Sequence, residues 1–210
     1  HTVRIVGTVD RVDTMELGGK TYIRVVDYKT GSKKFDLREV YYGLDCQMLL
    51  YLFTLERNGG HLFSQGTAAG VEYLWADPAP ENIIRPETDD AEPSQAQNYP
   101  LEGLLLDEPS IYHAMDTRGT GAFVPLSFSA KTAQSAKARL ADREKFNRIR
   151  DHLDGMLTDM AKNLYSGEID AAPLVPNAGK SPCLWCEYRT VCRHADGEGE
   201  RTPLKPDDPF

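Results

Sequence analysis

The sequence lacks three features that would assign the protein to a class at once. None of its 210 residues belong to a run of 18 apolar residues, which excludes a membrane-spanning helix. The first residues do not have the charged and then apolar pattern of a signal peptide. Positive charge is not in excess, because 24 lysines and arginines face 32 acidic residues. A global basic field, the simplest argument for a nucleic-acid partner, is therefore missing.

Most of the negative charge lies in one segment. Residues 77–108 hold nine acidic residues, one arginine and five prolines, which favours a loop or a poorly ordered insertion. This local acidity does not argue against a polyanionic partner elsewhere on the surface. We expect a core over residues 1–76, this insertion with a connecting segment over 77–130, a closing helix with a cysteine cluster over 131–194, and a flexible tail over 195–210. The chain begins with a histidine inside a strand-like pattern, so we expect it to be a piece of a longer protein.

Cysteine is scarce, and its distribution is uneven. Three of the four cysteines form the pattern C-x2-C-x5-C at Cys183, Cys186 and Cys192. In a reducing compartment such a cluster more often binds metal than forms disulfides. A metal site needs a fourth ligand, and His194 is near enough in sequence to complete a Cys3His zinc site. Cys46 lies in an apolar helical pattern, where we expect a small buried hydrophobic residue.

The hydrophobic periodicity predicts an α/β fold with a mixed sheet flanked by helices. Residues 3–13 and 21–29 are rich in valine, isoleucine and threonine and surround Gly18-Gly19, which indicates a β-hairpin. Residues 68–75 (AAGVEYLW) predict a further strand of the same sheet.

Two stretches with apolar residues at three- and four-residue steps predict helices. The first starts near Leu37, after Asp36 as a candidate cap, and stops at Asn58-Gly59. The second covers residues 131–166 and ends at Gly167. We expect its apolar stripe to pack on the core; the stripe consists of Phe146, Ile149, Leu153, Met156, Leu157, Met160 and Leu164.

Two aspartates and a lysine stand out on the predicted hairpin. Asp27 and Lys29 are two residues apart on one strand and therefore share a face, and Asp10 approaches Asp27 if the strands pair across the glycines. Neighbouring carboxylates repel each other unless a cation lies between them, and Mg²⁺ prefers such oxygen ligands. Lys29 is then placed to orient or deprotonate a water. These parts suit metal-assisted hydrolysis of a phosphodiester. The alternative is an ordinary surface pair of an aspartate and a lysine.

The next predicted helix adds two polar residues on one face. Gln47 and Tyr51 are four residues apart and interrupt an apolar stretch. They are either site residues or an amphipathic core tyrosine beside an exposed glutamine. A basic rim precedes this helix and suits a phosphate backbone, although such runs are commonly solvated turns; it consists of Lys29, Lys33, Lys34 and Arg38.

Three ordered motifs carry a family resemblance. Residues 7–13 (GTVDRVD), residues 27–31 (DYKTG) and the pair Gln47-x-x-x-Tyr51 resemble the motifs of the RecB-family nucleases, in the PD-(D/E)XK or restriction-endonuclease-like superfamily. The resemblance implies an α/β fold and a DNA nuclease dependent on Mg²⁺ or Mn²⁺. It gives metal-binding and catalytic roles to the family's matching positions: Asp10, Asp27, Lys29 and the carbonyl of Tyr28, with Gln47 and Tyr51 supporting the site and contacting DNA.

The cysteines extend the resemblance. Some RecB-family nucleases hold a 4Fe-4S cluster with one cysteine before the nuclease core and three after it, and Cys183, Cys186 and Cys192 match the trailing three. The AddB subunits of AddAB helicase–nucleases are the most similar group, over most of residues 3–194. This likeness implies a cytoplasmic bacterial protein that works with an AddA-like helicase subunit on the unwound strands of DNA breaks. With the leading cysteine outside this sequence, we expect the isolated chain to be poor in cluster.

Two rival hypotheses remain at this stage. The chain is either a catalytic nuclease domain, or a metal-stapled module that binds DNA or a helicase partner and uses its sheet only as a scaffold. A third possibility is a free-standing Cas4-like exonuclease, which would need no large helicase partner. Only the nuclease hypotheses require a divalent ion between Asp10 and Asp27.

Overall fold

A mixed sheet organises the computed structural model of the chain. The structure describes residues 2–30, 34–63, 66–75, 101–118, 123–126, 140–175, 181–194, 199–203 and 209–210. The strands are β1 (Arg11–Leu17), β2 (Lys20–Lys29), β3 (Thr67–Trp75), β4 (Leu101–Leu106) and β5 (Leu140–Ala141). They form one sheet in the order β1-β2-β3-β4-β5. Pairing alternates between antiparallel (β1 with β2, β3 with β4) and parallel (β2 with β3, β4 with β5). The predicted α/β class with a mixed sheet and flanking helices is confirmed.

Helices fill the connections between the strands. They are α1 (Leu37–Tyr41), α2 (Gln47–Asn58), α3 (Gly60–Phe63), α4 (Pro109–Met115), α5 (Arg143–Ser166) and α6 (Arg189–Cys192), with a 3-10 turn at Pro182–Trp185. None of the helices in the described ranges is both long and apolar enough to cross a membrane.

The predicted hairpin forms around the glycine pair. Gly18 and Gly19 have φ angles of 58° and 74°, which two-residue hairpin turns require and which glycine adopts without strain. The strand predicted over 3–13 is wrong at its start, because β1 begins only at Arg11. Residues 2–9 pair with no strand among the described residues, and Gly7 instead packs against the ring of Tyr51 on α2.

The first predicted helix is two helices. Asp36 caps α1, where its carboxylate accepts a hydrogen bond of 2.9 Å from the backbone N–H of Arg38. The chain then leaves the helical conformation at Gly43 and Asp45, which have φ angles of 83° and 54°, and α2 starts at Gln47. Apolar spacing continues across this break, which explains why periodicity alone predicted one helix.

The second predicted helix is shorter than expected. Helix α5 begins at Arg143, where the carboxylate of Asp142 accepts a hydrogen bond from the N–H of Lys145 at 2.7 Å. Residues 140–141 belong to β5, and 131–139 lie outside the described residues. Gly167 ends the helix in the left-handed conformation, as predicted.

The apolar stripe of α5 packs on the core only in its first half. Phe146, Ile149 and Leu153 are at most 1% exposed, whereas Met160 and Leu164 are 60% and 67% exposed. The prediction that the whole stripe packs on this core is therefore wrong for its second half. Helix α2 packs on β2 and β3, and α5 contacts α1, α2 and β5. A smaller apolar cluster of Leu105, Val124 and Leu126 lies apart from this main core.

Two other segments depart from the expected outline. The end of the acidic segment is not a loop, because residues 101–106 form β4 beside β3. The rest of that segment, up to residue 100, lies outside the described residues. Of the tail, Arg201 forms a bridge with Leu174, and the ring of Phe210 contacts those of Tyr41 and His152.

Candidate active site

The hairpin register brings Asp10 and Asp27 to the same place. Arg11 pairs with Val26 in the antiparallel ladder, and continuing by one residue places Asp10 opposite Asp27. The backbone N–H of Tyr28 donates a hydrogen bond of 3.2 Å to Oδ2 of Asp10, which holds this carboxylate against β2. Asp10 is exposed, whereas Asp27 is only 9% exposed. The hairpin thus presents one accessible and one buried carboxylate at neighbouring positions.

Lys29 lies beside the buried carboxylate, as the strand alternation predicted. Its Nζ is 2.5 Å from Oδ2 of Asp27. This contact is an ion pair, and it gives the buried oxygen a positive charge as its neighbour. A buried carboxylate is costly unless a cation compensates its charge, and the ammonium of Lys29 supplies that charge here. Two carboxylates at opposite positions of the hairpin are oxygen donors of the kind that Mg²⁺ prefers, so this donor set fits a divalent ion, which would be held by Asp10, Asp27 and the carbonyl of Tyr28.

Gln47 and Tyr51 meet on the exposed side of α2. The Nε2 group of Gln47 donates a hydrogen bond of 3.0 Å to the hydroxyl of Tyr51. The Tyr51 ring lies so close to Gly7 that a side chain there would collide with it. Gly7 is three residues before Asp10, so this contact fixes the segment that leads to the exposed carboxylate. Both elements line a groove of about 920 Å³, to which Arg4 and Arg57 also contribute.

The sequence analysis missed a buried ionic network centred on Arg24 of β2. Its guanidinium lies 2.9 Å from Oε2 of Glu72 on β3 and 2.6 Å from Oδ2 of Asp13 on β1. It also donates a short hydrogen bond to the carbonyl of Phe123. Arg24 and Glu72 are 7% and 2% exposed. The sequence does carry a signal for this pair, because an arginine and a glutamate each interrupt an apolar strand pattern.

The network reaches the site through β1. Asp13 also accepts hydrogen bonds from Arg11, at 2.6 and 3.1 Å, and Arg11 donates to the hydroxyl of Tyr28 at 3.4 Å. Tyr28 is the residue whose backbone N–H holds Asp10. The second half of the motif at residues 7–13 therefore ties the hairpin together, while its first aspartate belongs to the site.

Burial and pairing act in opposite directions on the two acids of the network. Burial raises the pKa of Glu72 to about 7 even though Arg24 pairs with it. Burial also acts to raise the pKa of Asp13, but hydrogen bonds from Arg11 and Arg24 outweigh it and the pKa is lowered. Glu72 is thus the acid of this network that titrates near neutral pH.

The three thiols of the cysteine segment are neighbours in the sequence, but they do not converge on one point in the structure. Cys183 lies in the 3-10 turn, Cys186 follows it, and Cys192 ends α6. All are free thiols, and the latter two are exposed. Nowhere in the described ranges do three or more histidine, cysteine, aspartate or glutamate side chains form a group that could hold a metal ion. The donors have the right chemistry for zinc or an iron–sulfur cluster, but this arrangement does not form such a site.

The fourth cysteine is buried, as predicted for a small hydrophobic residue. Cys46 is 8% exposed at the start of α2, and its thiol lies 3.3 Å from the carbonyl of Leu44. Burial raises the pKa of this thiol to about 11, which keeps it protonated at neutral pH.

Comparison with known proteins identifies the family. A sequence model of the PD-(D/E)XK nuclease superfamily matches residues 1–193. The chain belongs to this superfamily. The predicted family resemblance and the predicted PD-(D/E)XK fold are thereby confirmed.

Several curated relatives of this PD-(D/E)XK chain are named alike, each as the B-type component of an ATP-dependent helicase/deoxyribonuclease. The relative from Thermoanaerobacter sp. strain X514 is 31% identical over 198 residues, covering 91% of the chain and 17% of the relative. The one from Clostridium botulinum strain Loch Maree is 31% identical and covers 92% of the chain. The one from Clostridium perfringens strain 13 is 32% identical over 196 residues. The chain spans about 17% of the length of these relatives.

Proposed function

We propose that the chain is the Mg²⁺-dependent DNA nuclease domain of an AddB-like helicase–nuclease subunit, with Mn²⁺ as an alternative ion. The observation that carries this proposal is the placement of Asp10 opposite Asp27, whose buried carboxylate lies beside the ammonium of Lys29. Membership of the nuclease superfamily and the names of the relatives support the reaction class and the substrate.

The proposed chemistry is hydrolysis of a DNA phosphodiester bond. When bound, the divalent ion supplies charge neutralisation at the phosphate and lowers the pKa of a water. Asp10, Asp27 and the carbonyl of Tyr28 would hold that ion. Lys29 donates hydrogen bonds to the attacking water or to a non-bridging phosphate oxygen. Gln47 and Tyr51 contact the DNA backbone near the same edge of the sheet.

We further propose a role in the resection of double-strand breaks. The relatives are named as components of an ATP-dependent helicase and deoxyribonuclease, which supports work beside an AddA-like helicase subunit on single strands released from unwound duplex. Such a protein would act in the bacterial cytoplasm. Cys183, Cys186 and Cys192 would ligate a 4Fe-4S cluster in the longer protein, with a further ligand from outside this segment.

The deciding experiment compares Asp27→Asn with wild type in the full-length helicase–nuclease. The substitution keeps the size of the side chain but removes the charge that would hold the ion. Cleavage of single-stranded DNA with Mg²⁺ is expected to fall by about 1000-fold or more, because losing the ion removes several kcal/mol of transition-state stabilisation and each ~1.4 kcal/mol is tenfold in rate.

The matched control is Asp151→Asn, which changes an exposed aspartate on α5. It is expected to cleave as wild type does. Unchanged cleavage by Asp27→Asn would contradict the proposal. Absence of cleavage by the wild-type protein that still binds DNA would favour the binding-module hypothesis.

A further inference from the structure

The ammonium of Lys29 has two neighbours of different kinds. One is the carboxylate of Asp27, at 2.5 Å, and the other is the face of Tyr73, whose ring centroid is 5.3 Å from Nζ. A cation within about 6 Å of an aromatic centroid is attracted by the electron density of the ring. The Lys29 side chain is 27% exposed, so solvent only partly screens these contacts.

The two neighbours of the ammonium differ in whether they also bind the proposed metal ion. Asp27 is a metal ligand under the proposed function, and a divalent ion bound through Oδ2 would repel the ammonium that contacts this atom. Lys29 must then leave Oδ2 of Asp27. The ring of Tyr73 is not a ligand of the proposed ion, and its contact with the ammonium does not compete with metal binding.

The position of Tyr73 is rigid. It pairs with Asp27 in the parallel ladder of β2 and β3, which puts both side chains on the same face of the sheet. Tyr73 is 2% exposed and packs against Phe35 at a centroid distance of 6.3 Å. A buried ring on a neighbouring strand is a fixed surface, unlike the flexible stem of the lysine.

We propose that Tyr73 is a positioning residue for Lys29, whose ring keeps the ammonium in the site after Asp27 releases it to bind metal. This inference rests on the proposed function. It makes Tyr73 act through Lys29, with no contact of its own to the phosphate. The proposed contact uses the face of the ring, so phenylalanine is expected to replace Tyr73 in positioning Lys29.

The test measures the accessibility of the Lys29 amine and does not depend on DNA cleavage. Reductive methylation of Lys29 in the full-length protein, followed by mass spectrometry without DNA, reports how accessible its amine is. In wild type and Tyr73→Phe, saturating Mg²⁺ is expected to leave Lys29 protected. In Tyr73→Leu, Mg²⁺ is expected to speed its methylation roughly 2- to 30-fold, the range that corresponds to a cation–π contact. Lys20, exposed at the other end of β2, is the internal reference and should not change.

A kinetic cycle tests whether Tyr73 acts through the lysine. Tyr73→Leu is expected to lower kcat for DNA cleavage with KM unchanged, and to have no further effect in a Lys29→Met background. Tyr22→Leu, which removes another buried tyrosine of the same core, is the control for lost packing. If Tyr73→Leu does not fold, Tyr73→Met carries the same expectations, because methionine adapts to irregular space.

Each outcome decides the matter. The inference would be overturned if Mg²⁺ sped the methylation of Lys29 equally in wild type and Tyr73→Leu, or in neither protein. It would also be overturned if Tyr73→Leu lowered kcat as much in the Lys29→Met background as in wild type. If Asp27→Asn still abolishes cleavage in that case, the proposed function stands and only this inference fails. If Asp27→Asn cleaves normally, both fail.

Discussion

The buried carboxyl of Glu72 makes the stability of the domain depend on pH. Burial raises its pKa from 4.5 to about 7 in the folded state, so the folded protein binds this proton more tightly than the unfolded chain does. The stability that comes from this proton is fully present below pH 4.5. It is lost as the pH rises towards 7.

The size of the effect follows from the two pKa values. The difference between about 7 and 4.5 is about 2.5 units. At ~1.4 kcal/mol per unit, the folded state loses roughly 3 kcal/mol from this group across that window. Glu72 is only 2% exposed, so little of this is screened by solvent. Glu72→Gln keeps an acceptor for Arg24 and cannot titrate, and the variant is therefore expected to lack this loss.

The assay is urea unfolding of the chain followed by circular dichroism at several pH values from 4.5 to 8. The quantity of interest is the difference in unfolding free energy between wild type and Glu72→Gln, because other acids titrate alike in both. Relative to the variant, wild type is expected to lose roughly 3 kcal/mol as the pH rises through this range. Parallel curves would refute the reasoning, since they would mean that the folded and unfolded pKa values of Glu72 are equal.

Two further predictions concern the core and the cysteines. Leu52 is fully buried on α2. Leu52→Ala is expected to lower the free energy of unfolding, measured in urea, by about 2–5 kcal/mol, and Leu52→Met by less than about 1.5 kcal/mol. Equal losses in the two variants would contradict the packing described. In the full-length protein, Cys186→Ser is expected to lower iron and acid-labile sulfide, whereas Cys46→Ser, at a buried site, should leave both unchanged. Equal iron contents in the two variants would count against a cluster at this segment.

The sequence was informative where chemistry and periodicity coincide. The hairpin turn followed from two glycines, and the common face of Asp27 and Lys29 followed from strand alternation. The meeting of Gln47 and Tyr51 followed from helical spacing. These are local relations, fixed by a few bonds of chain, and local geometry is what a single sequence encodes most directly.

Relations between distant segments were harder to predict. The pairing of Arg24 with Glu72 joins residues 48 positions apart, and both residue types are rarely buried. The break between α1 and α2 depends on the conformation of Gly43, whose missing side chain leaves room for Met156 on α5. The exposed second half of the α5 stripe has the same spacing as the buried half, so periodicity cannot distinguish them.

The buried network also bears on why the site can form at all. Side chains alternate along a strand, so a slip of one residue between β1 and β2 would turn Asp10 away from the face that carries Asp27. Asp13 lies directly opposite Arg24 in the observed register, and their ion pair is 2.6 Å long. In the slipped register, Arg24 would face away from Asp13 and would keep only Glu72 on β3 as a carboxylate partner. The ion pair on one face of the hairpin therefore selects the register that brings the two carboxylates together on the other.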